Sequence, residues 1–274
     1  MAIQVTDIYE YPLKSSRGNR LASAEIGFAG LINDRKVAVI NSNNKIVTGR
    51  EYPELLRVGS EINKNFLHLK SPGQENIAID LNLNRTHIIA KLFGQQVGGA
   101  VLESGGSQWI SKVLNGDFRL IAIFNDSDTL SGKALKTREF SAKYVDSAPV
   151  HLINLKTLAY LNSKLKDKVG PQNFRPNIVV EADEPFEEDY WTEININGCF
   201  LKLHKPTERC IFTTIDPETT LKNPDVEPLA TLAKMRRSAN QAISFGIDLI
   251  PLSNGIVNIG DHVVIRSAIE NGKV

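Results

Sequence analysis

Cys210 lies in the run Pro206-Thr207-Glu208-Arg209-Cys210-Ile211-Phe212-Thr213-Thr214-Ile215-Asp216-Pro217-Glu218-Thr219, beside a cation and a dense set of hydroxyls. A guanidinium next to a thiol favours the thiolate, the form that acts as a nucleophile and binds soft metals. On local chemistry alone the residue also reads as a small hydrophobe at the start of a strand. Cys199, in Asn197-Gly198-Cys199-Phe200-Leu201, has no charged neighbour and reads as packing.

Two further segments combine cations with polar groups. Tyr11-Pro12-Leu13-Lys14-Ser15-Ser16-Arg17-Gly18 ends a first strand in a basic, hydroxyl-bearing turn, and Asn173-Phe174-Arg175-Pro176-Asn177 sets Arg and Asn before another strand. Each alone reads as a solvated turn. With Arg35 of Asn33-Asp34-Arg35 they supply enough donors for a small anionic ligand, since guanidinium forks and hydroxyls suit phosphate. The five histidines, His68, His87, His151, His204 and His262, are scattered without metal-ligand spacing and receive no role. No Gly-x-Ser-x-Gly elbow or glycine-rich phosphate loop is present, so hydrolase and nucleotide-binding readings have no anchor.

The elements that must position these residues are mostly short strands broken by turn residues. Runs at 36–40, 45–48, 66–69, 77–81, 86–90 and 95–102 are followed by 150–153, 177–180, 192–196, 200–203, 211–215, 244–250 and 261–265. Helical periodicity is confined to three places. One helix is capped by Ser107 and carries Trp109, Ile110, Val113 and Leu114; a second covers 155–165; a third covers 226–238, with Pro228 in its first turn and cations at its end. The polar stretch 125–143 reads as a boundary loop. The expected fold is mostly β with a few helices (α+β), divided into residues 1–120 and 121–274.

Composition narrows the classes. The 274 residues carry 32 Lys plus Arg against 31 Asp plus Glu, a net charge of +1, which argues against a nucleic-acid binder. Two cysteines exclude a disulfide scaffold and cannot by themselves build a structural zinc site or an iron–sulfur cluster. The first residues show neither a secretory leader nor an Arg-rich targeting arm, and no apolar run is long enough for a membrane span. The expectation is a cytoplasmic protein without membrane contact.

Together the blocks resemble the MOSC proteins, named for the molybdenum cofactor sulfurase C-terminal domain, and within them the mitochondrial amidoxime-reducing component and its bacterial relatives. The resemblance rests on Tyr11-Pro12-Leu13-Lys14-Ser15, on 30–35 and on Thr48-Gly49-Arg50-Glu51-Tyr52-Pro53. It continues through Asp146-Ser147-Ala148-Pro149, Phe174-Arg175-Pro176-Asn177, 185–191, Arg209-Cys210 and 213–219. It implies an N-terminal β-barrel domain followed by a MOSC β-barrel domain. It implies a molybdenum cofactor of the molybdopterin type, with Cys210 as catalytic thiolate and metal ligand. Lys14, Ser15, Arg35, Ser147, Arg175 and Asn177 would cradle the pterin and its phosphate, with Asp216 behind them or merely making a turn. The implied activity is reduction of N-hydroxylated compounds such as hydroxylamines and amidoximes, with electrons from a separate ferredoxin, flavoprotein or cytochrome. The alternative is a non-enzymatic carrier of sulfur or cofactor on Cys210; a scaffold without cofactor is a third reading. Pyridoxal phosphate binding, a label inherited across this domain class, has no lysine context here that supports a Schiff base.

Overall fold

The computed structural model describes residues 2–82, 85–103, 105–124 and 142–269. The chain is mostly β with three α-helices among the described residues, as the sequence pattern predicts, and includes a curled, half-barrel sheet. It divides into two compact units, one of residues 1–9, 20–32 and 147–274, the other of residues 10–19 and 33–146.

The first unit is built on an eight-stranded sheet. It takes in β1 (Gln4–Glu10), β2 (Asn19–Leu21), β12 (Val150–Asn154), β13 (Ile178–Glu181), β14 (Trp191–Ile196), β15 (Cys199–Glu208), β16 (Ser244–Pro251) and β18 (Val263–Ala268), in the order β18-β14-β15-β16-β12-β13-β1-β2. A three-stranded sheet of β17 (Gly255–Asn258), β3 (Ser23–Gly27) and β4 (Gly30–Leu31) belongs to the same unit. Strand β12 reads Val-His-Leu-Ile-Asn and is buried throughout, as a strand covered on both faces must be. Helix α2 (Leu155–Asn162) follows at once, its first turn capped by Asn154, whose side-chain oxygen accepts the Lys156 amide at 3.0 Å. The core joins Val5, Ile8, Ile178, Trp191, Ile194, Leu201, Ile247 and Cys199.

The second unit holds a four-stranded sheet of β5 (Val37–Asn41), β9 (Arg85–Leu92), β10 (Gln95–Leu102) and β11 (Phe118–Ala122), in the order β5-β11-β10-β9, and an antiparallel sheet of β6 (Gly59–Asn63), β7 (Phe66–Lys70) and β8 (Ile77–Asp80). Strand β7, Phe-Leu-His-Leu-Lys, alternates exposed and buried residues, the period-2 pattern of a half-buried strand. Helix α1 (Gly106–Leu114) buries Trp109, Ile110 and Leu114. Its cap is Gly105, at φ 73°, and not Ser107, which lies inside the first turn; Gly106 packs against Ile79, where a Cβ would stand 2.4 Å from Cδ1.

Several boundaries differ from the sequence expectation. The run 211–215, rich in β-formers, is a 3₁₀ turn over Ile211–Thr214, closed by Thr213 and Thr214, whose hydroxyls donate to the carbonyls of Cys210 and Ile211 at 3.0 and 2.7 Å. Such local hydroxyl bonds offer the backbone an alternative to the ladder. The run 45–48 forms only isolated bridges, Ile46 to Ile40 and Lys45 to Lys91. Helix α3 spans Leu229–Arg236 with Pro228 at its cap, and α2 ends three residues before 165. The expected loop at 125–143 falls outside the described residues up to residue 141.

Candidate functional site

The residues singled out from the sequence fall into both units, and each set has its own geometry. In the first unit, Cys210 follows β15, half-buried and in extended backbone, and opens the 3₁₀ turn. Its carbonyl accepts the Thr213 amide at 3.1 Å as well as the hydroxyl, so the thiol stands on a tightly bonded turn. Arg175 is brought to the same turn: its guanidinium carbon lies 5.7 Å from the Phe212 ring centre, and Asn173 Nδ2 donates to the Thr213 carbonyl at 3.3 Å.

Arg209 has a different role from the one its place beside the thiol suggests. Its Nε and Nη2 donate to the Phe245 carbonyl at 2.9 and 2.6 Å, Nη1 donates to the Phe174 carbonyl at 3.0 Å, and Nη2 meets His151 Nε2. A guanidinium can only donate, so Nε2 is the unprotonated, accepting nitrogen of that ring. The Phe174 and Phe245 rings stack at 4.1 Å beside this anchor. His151 carries no role in the sequence reading; the signal that finds it is its place opposite Asp248 in the β12–β16 register.

Asn177 is buried and bonded internally. Its side-chain oxygen accepts the His151 amide at 3.2 Å and its Nδ2 donates to the Tyr9 carbonyl at 3.2 Å, joining β12, β13 and β1. The Ser147 hydroxyl bonds the carboxylate of buried Asp248, as does that of Thr207 at 2.7 Å; burial raises the Asp248 pKa against these bonds. Asp216 makes a turn: its Oδ1 accepts the Thr219 amide at 2.7 Å, the Glu218 amide at 3.0 Å and the Thr219 hydroxyl at 2.9 Å, and the Thr219 amide leads in holding its pKa down. Cys199 is fully buried, and burial pushes its thiol pKa up to about 11, as a packing role requires.

In the second unit, Lys14 is 4% exposed. Its ammonium donates to the Tyr144 carbonyl at 2.8 Å and pairs with Asp146, which also takes Arg50 Nη2 at 2.7 Å. Burial lowers the Lys14 pKa while Asp146 opposes the shift. Burial would raise the Asp146 carboxyl, but Lys14 and Arg50 outweigh it and hold the group at about 2. Arg35 pairs with buried Asp34 at 2.5 Å and stacks 4.2 Å above the Tyr11 ring, while Asp34 Oδ1 accepts the Tyr11 amide at 2.8 Å. Neither Asp146 nor Arg50 was singled out from the sequence, although both lie in segments carrying the resemblance.

Twelve non-glycine residues among those described have positive φ, and Ser15 (67°), Arg35 (46°) and Arg175 (56°) are three of them. Backbone held in this sparsely populated region persists only where surroundings over-determine it, and it concentrates at ligand sites. In the first unit the Cys210 thiolate suits a soft metal; in the second, the Lys14 ammonium and Arg35 guanidinium, each held by a carboxylate, suit an anionic group. Among the described residues no group of three or more His, Cys, Asp or Glu side chains gathers to hold a bare metal ion. No helix among them is long and apolar enough to cross a membrane.

A family profile described as the MOSC N-terminal beta barrel domain matches residues 2–117, and one described as the MOSC domain matches residues 139–264. Mitochondrial amidoxime reducing component 2 of Rattus norvegicus is 32% identical over 244 residues, covering 85% of this chain and 72% of that protein. Mitochondrial amidoxime-reducing component 1 of Homo sapiens is 27% identical over 290 residues, covering 95% and 82%. Among solved structures, the YUAD protein of Bacillus subtilis aligns over 96% of this chain and 94% of its own, with 11% identity and a TM-score of 0.43.

Proposed function

The chain belongs to the MOSC family, and from that premise we propose that it is a molybdenum-cofactor oxidoreductase that reduces N-hydroxylated compounds with electrons from a separate redox protein. The observation that carries this reading is Cys210, an accessible thiol on the bonded 3₁₀ turn that also receives Arg175. When bound, the cofactor supplies the two-electron chemistry: R–NHOH, two electrons and two protons give R–NH₂ and water.

The chain's own residues bind and orient. Cys210 would ligate the metal through its thiolate from the head of the 3₁₀ turn. Arg175 in the first unit, and separately Lys14, Ser15 and Arg35 in the second, would be donors for the anionic pterin and its phosphate; the carboxylates paired with Lys14 and Arg35 and the positive-φ backbone of Ser15, Arg35 and Arg175 hold these donors in place beforehand, which lowers the ordering cost of binding. Asn177 serves from within, through the strands it joins, and Ser147 through Asp248. Asp216 holds the turn that follows.

The test is to purify the protein from cells that make the cofactor, supply a reduced dye, and follow loss of an amidoxime or hydroxylamine. Turnover that disappears in Cys210→Ala supports the reading; full activity in that variant contradicts it. A carrier would instead show sulfur on Cys210 without retained molybdenum or turnover.

A further inference from the structure

The guanidinium of Arg209 directs its donors at three acceptors: the Phe245 carbonyl, the Phe174 carbonyl and His151 Nε2. All of these residues, like Cys210, belong to the first unit. A main-chain carbonyl keeps its lone pairs at any pH. An imidazole nitrogen accepts only while unprotonated, and an unperturbed ring gains its proton near pH ~6.5. The segment leading into Cys210 is thus tied down in part by an acceptor that acid removes.

The surroundings are fitted to this contact. His151 is buried on β12, and its amide donates to Asn177 Oδ1 at 3.2 Å. Gly246 on β16 has φ 72°, and a Cβ there would stand 2.9 Å from His151 Nε2, so the glycine leaves room for the ring.

Two charged groups face the imidazole: Arg209, which follows β15, and Asp248, directly opposite on β16, where paired side chains share one face of the sheet. Lys205 of β15 acts on Asp248; from the side of β13, Asn177 carries no charge and Arg175 reaches Phe212. Asp248 is buried and accepts Thr207 Oγ1 at 2.7 Å, and burial raises its pKa, which favours its neutral form in acid. A protonated ring therefore stands against the guanidinium with a weakened carboxylate to offset the two charges.

We propose that His151 is a positioning residue for Cys210: its neutral ring holds Arg209 and with it the turn that carries the thiol, and its protonated ring releases them, so that the metal is retained at neutral pH and let go in mild acid. The metal part rests on the reading of Cys210 as ligand; the hold on the turn does not.

The test takes two readouts from the full-length protein at about pH 7.5 and about pH 5.5, on either side of imidazole ionisation. One is hydrogen exchange of the amides at 209–214, corrected for the intrinsic rate, in protein made without cofactor. The other is molybdenum retained on gel filtration by protein made with it. Wild type loses protection about tenfold in acid, the equivalent of one charged hydrogen bond, and loses its molybdenum in the same range. His151→Gln, whose amide oxygen accepts at either pH, keeps both in acid, and its melting temperature at neutral pH matches wild type. His151→Leu is unprotected at both pH values. Asp248→Asn retains the acid step. Protection independent of pH in wild type, an acid step that persists in His151→Gln, or one that vanishes in Asp248→Asn overturns the inference. A turn that loosens in acid while molybdenum stays bound overturns its link to the metal. Protein that takes up no molybdenum, yet whose turn loosens in wild type and not in His151→Gln, rejects the ligand reading and keeps the hold of His151 on the turn.

Discussion

Arg209 donates to His151 Nε2 and, through its other nitrogens, to the main-chain carbonyls of Phe174 and Phe245, so the cation adjoining Cys210 in sequence is an anchor for three segments of the first unit. One side chain thus links β12, the turn before β13, and β16 to the residue that precedes the thiol. Arg209→Met leaves those carbonyls without donors, and charged hydrogen bonds of this kind are worth about 1.5–3 kcal/mol each. The expected loss is about 3 kcal/mol in denaturant unfolding, with a lowered molybdenum content at temperatures where the variant remains folded. Unchanged stability would show that the anchor carries no weight.

Asp146 links acid stability to the second unit. Its carboxyl is held at about 2 in the folded protein, below the ordinary value, so its contribution is fully present above about pH 4 and is lost as pH falls through about 2. The carboxylate is half-exposed, and screening by solvent reduces the effect to about 1 kcal/mol. Asp146→Asn is expected to be less stable than wild type by about that amount at pH 6, with the two unfolding curves converging near pH 2.

Glu188 works in the opposite direction. It is fully buried; burial, with neighbouring Asp189, raises its pKa to about 7, while Oε2 accepts Thr157 Oγ1 at 2.9 Å and Asn154 Nδ2 at 3.2 Å. An acid whose folded pKa is raised favours folding below its unfolded pKa near 4.5, and that contribution is lost as pH rises through about 7. Glu188→Gln keeps an oxygen for the two donors and removes the ionisation. The variant should match wild type near pH 5 and exceed it by about 2 kcal/mol at pH 8. Parallel stability curves from pH 5 to 8 would contradict the assignment.

Asp216 separates turn-making from ligand binding. Its Oδ1 accepts three hydrogen bonds from Glu218 and Thr219. Asp216→Ala should cost about 1 kcal/mol in unfolding free energy and leave the molybdenum content unchanged. A variant of wild-type stability that loses molybdenum would place Asp216 with the cofactor.

Strand β7 and helix α1 were legible because their burial follows a local period. The turn at Ile211–Thr214 was not, because its residues are β-formers and the outcome is decided by two hydroxyls bonding back to the chain. The segment of Asn177 names it as a donor toward the cofactor; its bonds to the His151 amide and the Tyr9 carbonyl are visible only once the strands around it are paired. Lys14 could be named from its segment, whereas its partner Asp146 lies 132 residues away and is brought there by tertiary folding.

The central claim is that Cys210 ligates the molybdenum of a bound cofactor. The most direct measurement is metal and pterin content, by mass spectrometry, of wild type and Cys210→Ala purified without oxidation from cells that make the cofactor. Equimolar molybdenum in wild type and its loss in a variant that still unfolds cooperatively is the predicted result; equal molybdenum in both proteins would contradict it.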